Sequence, residues 1–211
     1  MRSGTIYRNR LFSRLGIEAR GERVLDIGTF DSYWLSGQKG RMRVGLDLDV
    51  RKSPDCSSIR GDALNLPFPS QSFDSVFAFE VIEHVPDPRR FIEEIVRVTR
   101  PGGAITISTP NADLRIFPGF LTGWVHRKWG HEFCTGFPPH QLTQLFTEAG
   151  APQVEVIELR TWTMRALYLP MTLAGMISGR VGESLFRACA ALDSHWRPRG
   201  KRGYVLVTVR R

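Results

Sequence analysis

The sequence predicts an α/β protein, an open and mostly parallel sheet with helices on both faces. Three observations carry that prediction. Short apolar runs alternate with segments of helical period. The runs are nearly continuous rather than alternating, as strands buried on both faces require. Several end on Gly or Asp, where an α/β sheet turns. The 211 residues, 42% hydrophobic, 10% aromatic and 24% charged, suffice for one substantial core. One domain over residues 1–211 is therefore expected, and a disordered, collagen-like or coiled-coil chain is excluded.

Residues 5–19 place Ile6, Leu11, Leu15 and Ala19 near helical spacing among arginines, which predicts a leading amphipathic helix. RVLDI at 23–27 is a first buried strand, followed at once by Gly28 and a polar turn. A short helix starts near Ser32 and ends in the Gly-bearing stretch 37–40. Residues 43–46 form a second strand closed by Asp47, residues 57–60 a third, and the strongly apolar SVFAF at 75–79 a fourth. Pro88 opens a helix over 88–99 whose apolar face is Phe91, Ile92, Ile95, Val96 and Val98, and Pro101-Gly102-Gly103 ends it. A fifth strand follows at 104–108. Regularity lapses at 112–135, rich in Phe, Trp, Gly and His, which predicts a lid-like insertion. A helix at 138–150, with Leu142, Leu145, Phe146 and Ala149 on one face, precedes a sixth strand at 153–159. A basic helical insertion at 163–200, broken at Pro170, and a last strand at 204–209 complete the chain.

The formal net charge of +8 is localised. Residues 1–159 hold 19 basic and 19 acidic side chains, whereas 160–211 hold 10 and 2. Such asymmetry marks a contact surface for phosphate, lipid or nucleic acid. Cys56, Cys134 and Cys189 are odd in number and lack metal-ligand spacing, which argues against a disulfide framework or a zinc site. The start, MRSGTIYRNRLF, lacks the apolar core of a secretory signal, and no stretch has the length of a spanning helix. A cytoplasmic protein is expected.

In open α/β sheets a ligand lies at the carboxyl ends of the strands, where the strand order reverses. The candidate residues fall at such ends. Gly28, after VLDI, lets the backbone approach a ligand. Asp47, nineteen residues on, can accept hydrogen bonds from the two hydroxyls of a ribose; alone the pair reads equally as a tight turn and a solvated carboxylate. Asp62, in GDALNLPF, can accept from an adenine amino group while a neighbouring amide donates to a ring nitrogen, or it can simply stabilise a Pro-stiffened turn.

VLDIG, then VGLDLD, GDALNLPFPSQSFDSVFAFEVIEHVPDP and RPGGAITISTPN resemble the successive motifs of class I S-adenosylmethionine-dependent methyltransferases, in the branch that modifies small molecules. GHEFCTGFPPHQLTQLFTEAGA resembles that branch's next helix, so the likeness covers about two-thirds of the chain. It implies a Rossmann-like seven-stranded sheet with an antiparallel last strand and S-adenosyl-L-methionine as cofactor, with S-adenosyl-L-homocysteine as product. It places Gly28 under the methionine part, Asp47 with Leu48 at the ribose, Asp62 and Ala63 at the adenine, and Glu80 near the sulfonium. The family's loop reads G-x-G-x-G, whereas this chain has Gly28-Thr29-Phe30-Asp31-Ser32, so Phe30 is expected in part of the methionine pocket.

The reaction this implies is methylation of a small-molecule or lipid-like acceptor, at oxygen. Alignment supplies most of the rate, and a histidine base adds to it. His84 and His131 are the foremost catalytic candidates; His126 and His140 are the others. If EVIEH turned as an α-helix, Glu80, Glu83 and His84 would share a face and could bind a divalent cation; alternatively His84 orients the loop, and a metal requirement stays open. The apolar stretch 166–178, flanked by Arg165, Arg180 and Arg187, reads either as an insertion packed on the sheet or as a helix lying on anionic lipid. Arg197, Arg199, Lys201 and Arg202 could likewise bind phosphate.

Three rivals stand. A nucleic-acid methyltransferase fits the basic tail, but the N-P-P-Y-like run of the amino-methylating kind is missing after the fourth strand and stacking aromatics in the tail are sparse, so nucleic acid is not the expected partner. A non-catalytic binding protein could have kept the fold and lost the glycine loop. An NAD-dependent dehydrogenase wants G-x-G-x-x-G after the first strand, which is absent.

Overall fold

Strands whose side chains are apolar on both faces have nowhere to go but the middle of a sandwich, and the chain builds one. The structure, a computed structural model, describes residues 3–30, 32–49, 51–128, 130, 133–195 and 203–211. The strands are β1 (Arg23–Ile27), β2 (Met42–Asp47), β3 (Ser57–Arg60), β4 (Phe73–Phe79), β5 (Thr99–Pro110), β6 (Val154–Leu159) and β7 (Tyr204–Arg210). They form one sheet in the order β3-β2-β1-β4-β5-β7-β6. β1 to β5 are parallel, and β7 inserts antiparallel between β5 and β6. The order reverses at β1, which pairs with β2 on one edge and β4 on the other.

Alternation along each strand divides the core. Leu25, Ile27, Val76, Ala78, Val205 and Val207 point to one face, where they meet α3 (Pro88–Val98) and α5 (Pro139–Glu148). Val24, Phe77, Phe79 and Leu206 point to the other, under α1 (Ser3–Arg14), α6 (Trp162–Ile177) and α7 (Gly179–His195). α3 begins as the sequence requires: the Asp87 carboxylate accepts from the Arg90 amide at 3.0 Å and Pro88 occupies the first turn, where no amide hydrogen is needed. Its Phe91, Ile92 and Ile95 are fully buried, each contributing on the order of 2 kcal/mol.

Several boundaries differ from expectation. β5 is twelve residues long and takes in Pro101-Gly102-Gly103, with a register irregularity opposite Phe73 and Ser75 that absorbs the turn. The short helix after β1 is where it was expected, α2 (Tyr33–Ser36), and its Trp34 drives into the second core, edge-on to Phe77 and Phe79. Pro170 does not break its helix: α6 runs through it, and the chain turns at Ser178. One missing amide hydrogen is outweighed because Met164 and Met171, on either side of it, are buried. The lid is folded as well, with a tight turn at Gly119–Leu121 and α4 (Thr122–Lys128). Ile116 and Val125 reach the second core, and Leu114 is buried as well.

Asp193 ties the three helices of that face together. Its carboxylate accepts from the Tyr7 hydroxyl of α1 at 2.5 Å and from the Thr163 and Met164 amides of α6 at 2.9 and 3.3 Å. Burial, and then the Asp193 carboxylate, push the Tyr7 hydroxyl well above its usual pKa, so it stays a donor. Asp193→Ala should cost about 2–4 kcal/mol in urea unfolding, because it uncaps α6 and strands a buried hydroxyl; Tyr7→Phe should cost about 1 kcal/mol. A loss below about 0.5 kcal/mol for Asp193→Ala would show that the helices are held by packing alone.

Candidate active site

The crevice opens where the strand order reverses. At the end of β1 the chain turns at Gly28 in the left-handed conformation (φ 74°), and a side chain there would meet Val81 Cγ2 at 2.3 Å. The Gly28 amide donates to Leu46 O of β2 at 2.8 Å. From the next turn the Phe30 amide donates to Asp47 Oδ2 at 2.9 Å, and the Asp49 amide donates to Asp47 Oδ1 at 3.0 Å. The two loops are thereby laced through one carboxylate.

A cavity of about 400 Å³ lies between these turns and the end of β4. Gly28, Asp47, Leu48, Asp62, Ala63, Glu80 and His84, all singled out from the sequence, line it together. This volume and an apolar wall with a few polar groups are the ordinary make-up of a small-molecule site. Leu64, Val81, Val85 and Pro86 also line it, and nothing in their types announced it. A larger hollow of about 600 Å³ between α1 and α2 contains neither carboxylate nor histidine.

Phe30 is placed elsewhere than expected. It does not line the cavity; its ring is half exposed and stacks under the Arg51 guanidinium, 4.6 Å from ring centre to Cζ. The left-handed backbone at Phe30 (φ 45°) turns the side chain outward while its amide turns in to Asp47. His131 and the basic residues 197, 199, 201 and 202 lie outside the described residues.

The loop on the Asp62 side is clamped from α3. Asp62 Oδ1 accepts from the Leu64 amide at 2.9 Å, closing a tight turn. Buried Glu94 accepts from the Leu66 amide at 2.8 Å, and Arg97 donates to Glu94, to Leu66 O and to Phe68 O. The Arg97 hydrogen bond holds the Glu94 carboxyl below its usual range. The spacing of Glu94 and Arg97 was visible in the sequence only as helix surface; their partners are loop carbonyls and an amide that no periodicity marks.

Glu80 ends β4 with a left-handed backbone (φ 57°), and its Oε1 accepts from the Ser108 hydroxyl at 2.8 Å. Glu83, three residues on, is fully buried. Residues Ile82–His84 form a tight single turn rather than an α-helix, so Glu80, Glu83 and His84 do not line up on one face as a metal site would require. Among the described residues no three His, Cys, Asp or Glu side chains come together in a way that could hold a metal ion. His84 instead bonds through Nδ1 to Gly130 O of the lid at 2.9 Å. A carbonyl only accepts, so Nδ1 carries a proton toward it. His126 is buried in α4, and burial lowers its pKa.

The lid and the helical insertion meet. The Phe117 amide donates to Arg165 O at 3.1 Å, and Arg165 Nε donates to Arg115 O at 2.5 Å.

Arg8, from the other face of the sheet, completes the environment of the acid pair. It donates to Phe79 O at 3.2 Å with its guanidinium 5.3 Å from the Phe79 ring centre. Burial raises the Glu80 carboxyl to about 7, against the opposing pull of Arg8 and the Ser108 hydroxyl. Burial, and then the charge of Glu80, raise Glu83 further. A carboxyl that resists ionisation in the fold holds a proton the unfolded chain releases. Its contribution to stability is therefore greatest below the ordinary value of 4.5 and declines as pH rises to about 7. Glu80→Gln should unfold at higher urea than the native chain at pH 8 and lose that advantage at pH 5; an equal midpoint shift at both pH values would overturn the reading.

Comparison with known proteins agrees with this geometry. The family described as Methyltransferase domain matches residues 38–107. A probable S-adenosylmethionine-dependent methyltransferase of Mycolicibacterium smegmatis is 37% identical over 110 residues, 48% of this chain and 43% of that protein. The chain thus spans less than half the length of this relative. A ubiquinone biosynthesis O-methyltransferase of Paracidovorax citrulli is 27% identical over 197 residues, 83% of this chain and 79% of that one. A crystal structure of a S-adenosylmethionine-dependent methyltransferase from Thermotoga maritima superposes with a TM-score of 0.66 at 17% identity, covering 97% of this chain and 88% of the other. Motif order, strand order and these likenesses agree: the chain has the fold of the class I S-adenosylmethionine-dependent methyltransferases, and its residues 38–107 match their methyltransferase domain.

Proposed function

We propose that this chain catalyses S-adenosylmethionine-dependent methylation of a small-molecule or lipid-like acceptor in the cytoplasm, at an oxygen nucleophile. The observation that carries the proposal is the one cavity that Asp47, Asp62, Glu80 and His84 line together. The residues fit the cofactor. Gly28 brings the backbone to the cavity without a side chain, and the Asp47 carboxylate, already held by two amides, stands ready to receive two ribose hydroxyls. Asp62 and Ala63 lie beyond it, where the Glu94–Arg97 clamp keeps their loop in place for an adenine. Leu48 supplies an apolar contact at the same edge.

The bound cofactor supplies a methyl group on a sulfonium, already electrophilic. The protein's part is to align the acceptor oxygen with it and to take the oxygen's proton. Alignment of this kind is worth effective molarities of about 10⁵ M or more. His84 lines the cavity with Nδ1 committed to the lid carbonyl, so Nε2 is the nitrogen that receives the proton. Glu80 stands at the end of β4 near the sulfonium. The acceptor class draws support from the relative named for ubiquinone biosynthesis.

Calorimetry with S-adenosylmethionine and S-adenosylhomocysteine tests the first half. Asp47→Ala should weaken both about 10- to 100-fold, the worth of hydrogen bonds to a charged group. If the native chain binds neither at millimolar concentration, the chain is a binding protein that kept the fold and lost the chemistry. His84→Ala should leave cofactor affinity intact and lower kcat toward a phenolic acceptor by about 10²–10⁴. An unchanged kcat would remove His84 from the reaction.

A further inference from the structure

α6 is apolar on two opposite sides, and the protein covers only one of them. Met164 and Met171 are buried against the sheet. At about 100° per residue, Trp162, Leu173, Met176 and Ile177 fall together on the opposite side. All four are exposed, Met176 by 77% and Ile177 by 89%. A helix of this kind is ordinarily enclosed on all sides. With sixteen residues it is no membrane span, and among the described residues no helix is long and apolar enough to cross a bilayer.

The apolar surface continues on the lid. Residues 115–117 lie along the first turn of α6 through the Arg165 contacts, and from there Phe117, Phe120 and Trp124 stand out, Phe120 by 84%. Beyond α6 the chain turns straight into α7, where Val181 is also exposed. Contiguous apolar surface on this scale marks a docking face.

Its border is cationic. Arg127 and Lys128 end α4, with the Lys128 ammonium 5.6 Å from the Trp124 ring centre, and Arg180 stands at the corner between α6 and α7. Of the two acidic residues after 159, Asp193 is buried and Glu183 is paired with Arg187. Neither acid of α7 therefore opposes an anionic surface, exposed Asp113 at the start of the lid being the acidic residue near it among the described residues, and aliphatic Leu173, Met176 and Ile177 offer nothing to a nucleic acid base or phosphate.

We infer that α6 and the lid form a peripheral docking face for an anionic lipid bilayer, with Leu173, Met176, Ile177 and Phe120 entering the headgroup boundary and Arg127, Lys128 and Arg180 meeting lipid phosphates. The same lid reaches the cavity where its Gly130 carbonyl meets His84. The inference rests on the exposed surface and not on the acceptor proposed above.

Co-sedimentation with vesicles tests it, using equal parts phosphatidylglycerol and phosphatidylcholine against phosphatidylcholine alone, alongside light scattering without lipid. The native chain should bind the anionic vesicles and release as salt is raised. Phe120→Ser with Ile177→Ser should weaken binding about tenfold or more, and Arg180→Glu should weaken it as well, with cofactor affinity unchanged in both. Three results would overturn the inference: no binding to anionic vesicles, binding unaffected by the paired serines, or a dimer that the paired serines dissolve in a chain that ignores lipid. The last would assign the face to a second copy of the chain. Because cofactor binding is read separately, failure here and failure of the proposed reaction are distinguishable.

Discussion

The backbone at Gly28 runs so close beneath Val81 that one added methyl group would have to displace it. This approach is possible because β1 and β4 are parallel neighbours in register, Ile27 opposite Ala78, so both chains leave the sheet at the same level. They must then diverge. Gly28 does so without strain; Glu80 does so as a non-glycine residue in the left-handed region, a conformation that persists only where its surroundings impose it. Between the diverging turns lies the cavity, and the loops after β2 and β3 close its far side through Asp47 and Asp62. A larger residue at 28 would close the gap that every other feature of the site is arranged around.

The acid pair behind the cavity depends on the opposite side of the sheet. Phe79 points into the second core while its carbonyl takes a hydrogen bond from Arg8 of α1, so the guanidinium reaches the level of Glu80 and Glu83. α1 is held there by Tyr7 on Asp193, and Asp193 in turn caps α6. The helices that carry the exposed apolar face are thus mechanically continuous with the charge environment of the site. The buried acids are tolerated because a cation and a hydroxyl offset part of their desolvation, and protonation offsets the rest.

Much of this was legible because parallel strands announce themselves twice, as apolar runs and as the Gly or Asp that ends them. β1 and β3 lie where those signals put them, and α3 starts at the proline and cap that Asp87-Pro88 encode. Gly28 and Asp47 of the cavity were found by the same signals, since the end of a strand in a parallel sheet is also the edge of its crevice; Leu48, Ala63 and Glu80 came from the motif resemblance, and Leu64, Val81, Val85 and Pro86 carried no signal. The signals failed where a local preference met a packed core. Pro170 should end a helix, and does not, because buried Met171 follows it; Pro101-Gly102-Gly103 reads as the stop after a helix, and α3 does stop before it, but the three residues are themselves taken up in β5 by an irregular pairing.

Phe30 shows the limit most clearly. Its position in the motif puts it in the pocket, but the side chain's direction is set by the sign of one φ angle, and that sign follows from the Asp47 carboxylate claiming its amide. The sequence by itself determined the strand order's raw material and the strand-end residues, because each rests on periodicity or on a residue type needed at one place, and it carried the motifs whose resemblance pointed to the family. Only the tertiary structure decided which way Phe30 and His84 turn, that Arg8 faces Glu80, and that one side of α6 is left uncovered. Those depend on contacts between segments as much as 186 residues apart, like that of Tyr7 with Asp193, which no local pattern can carry.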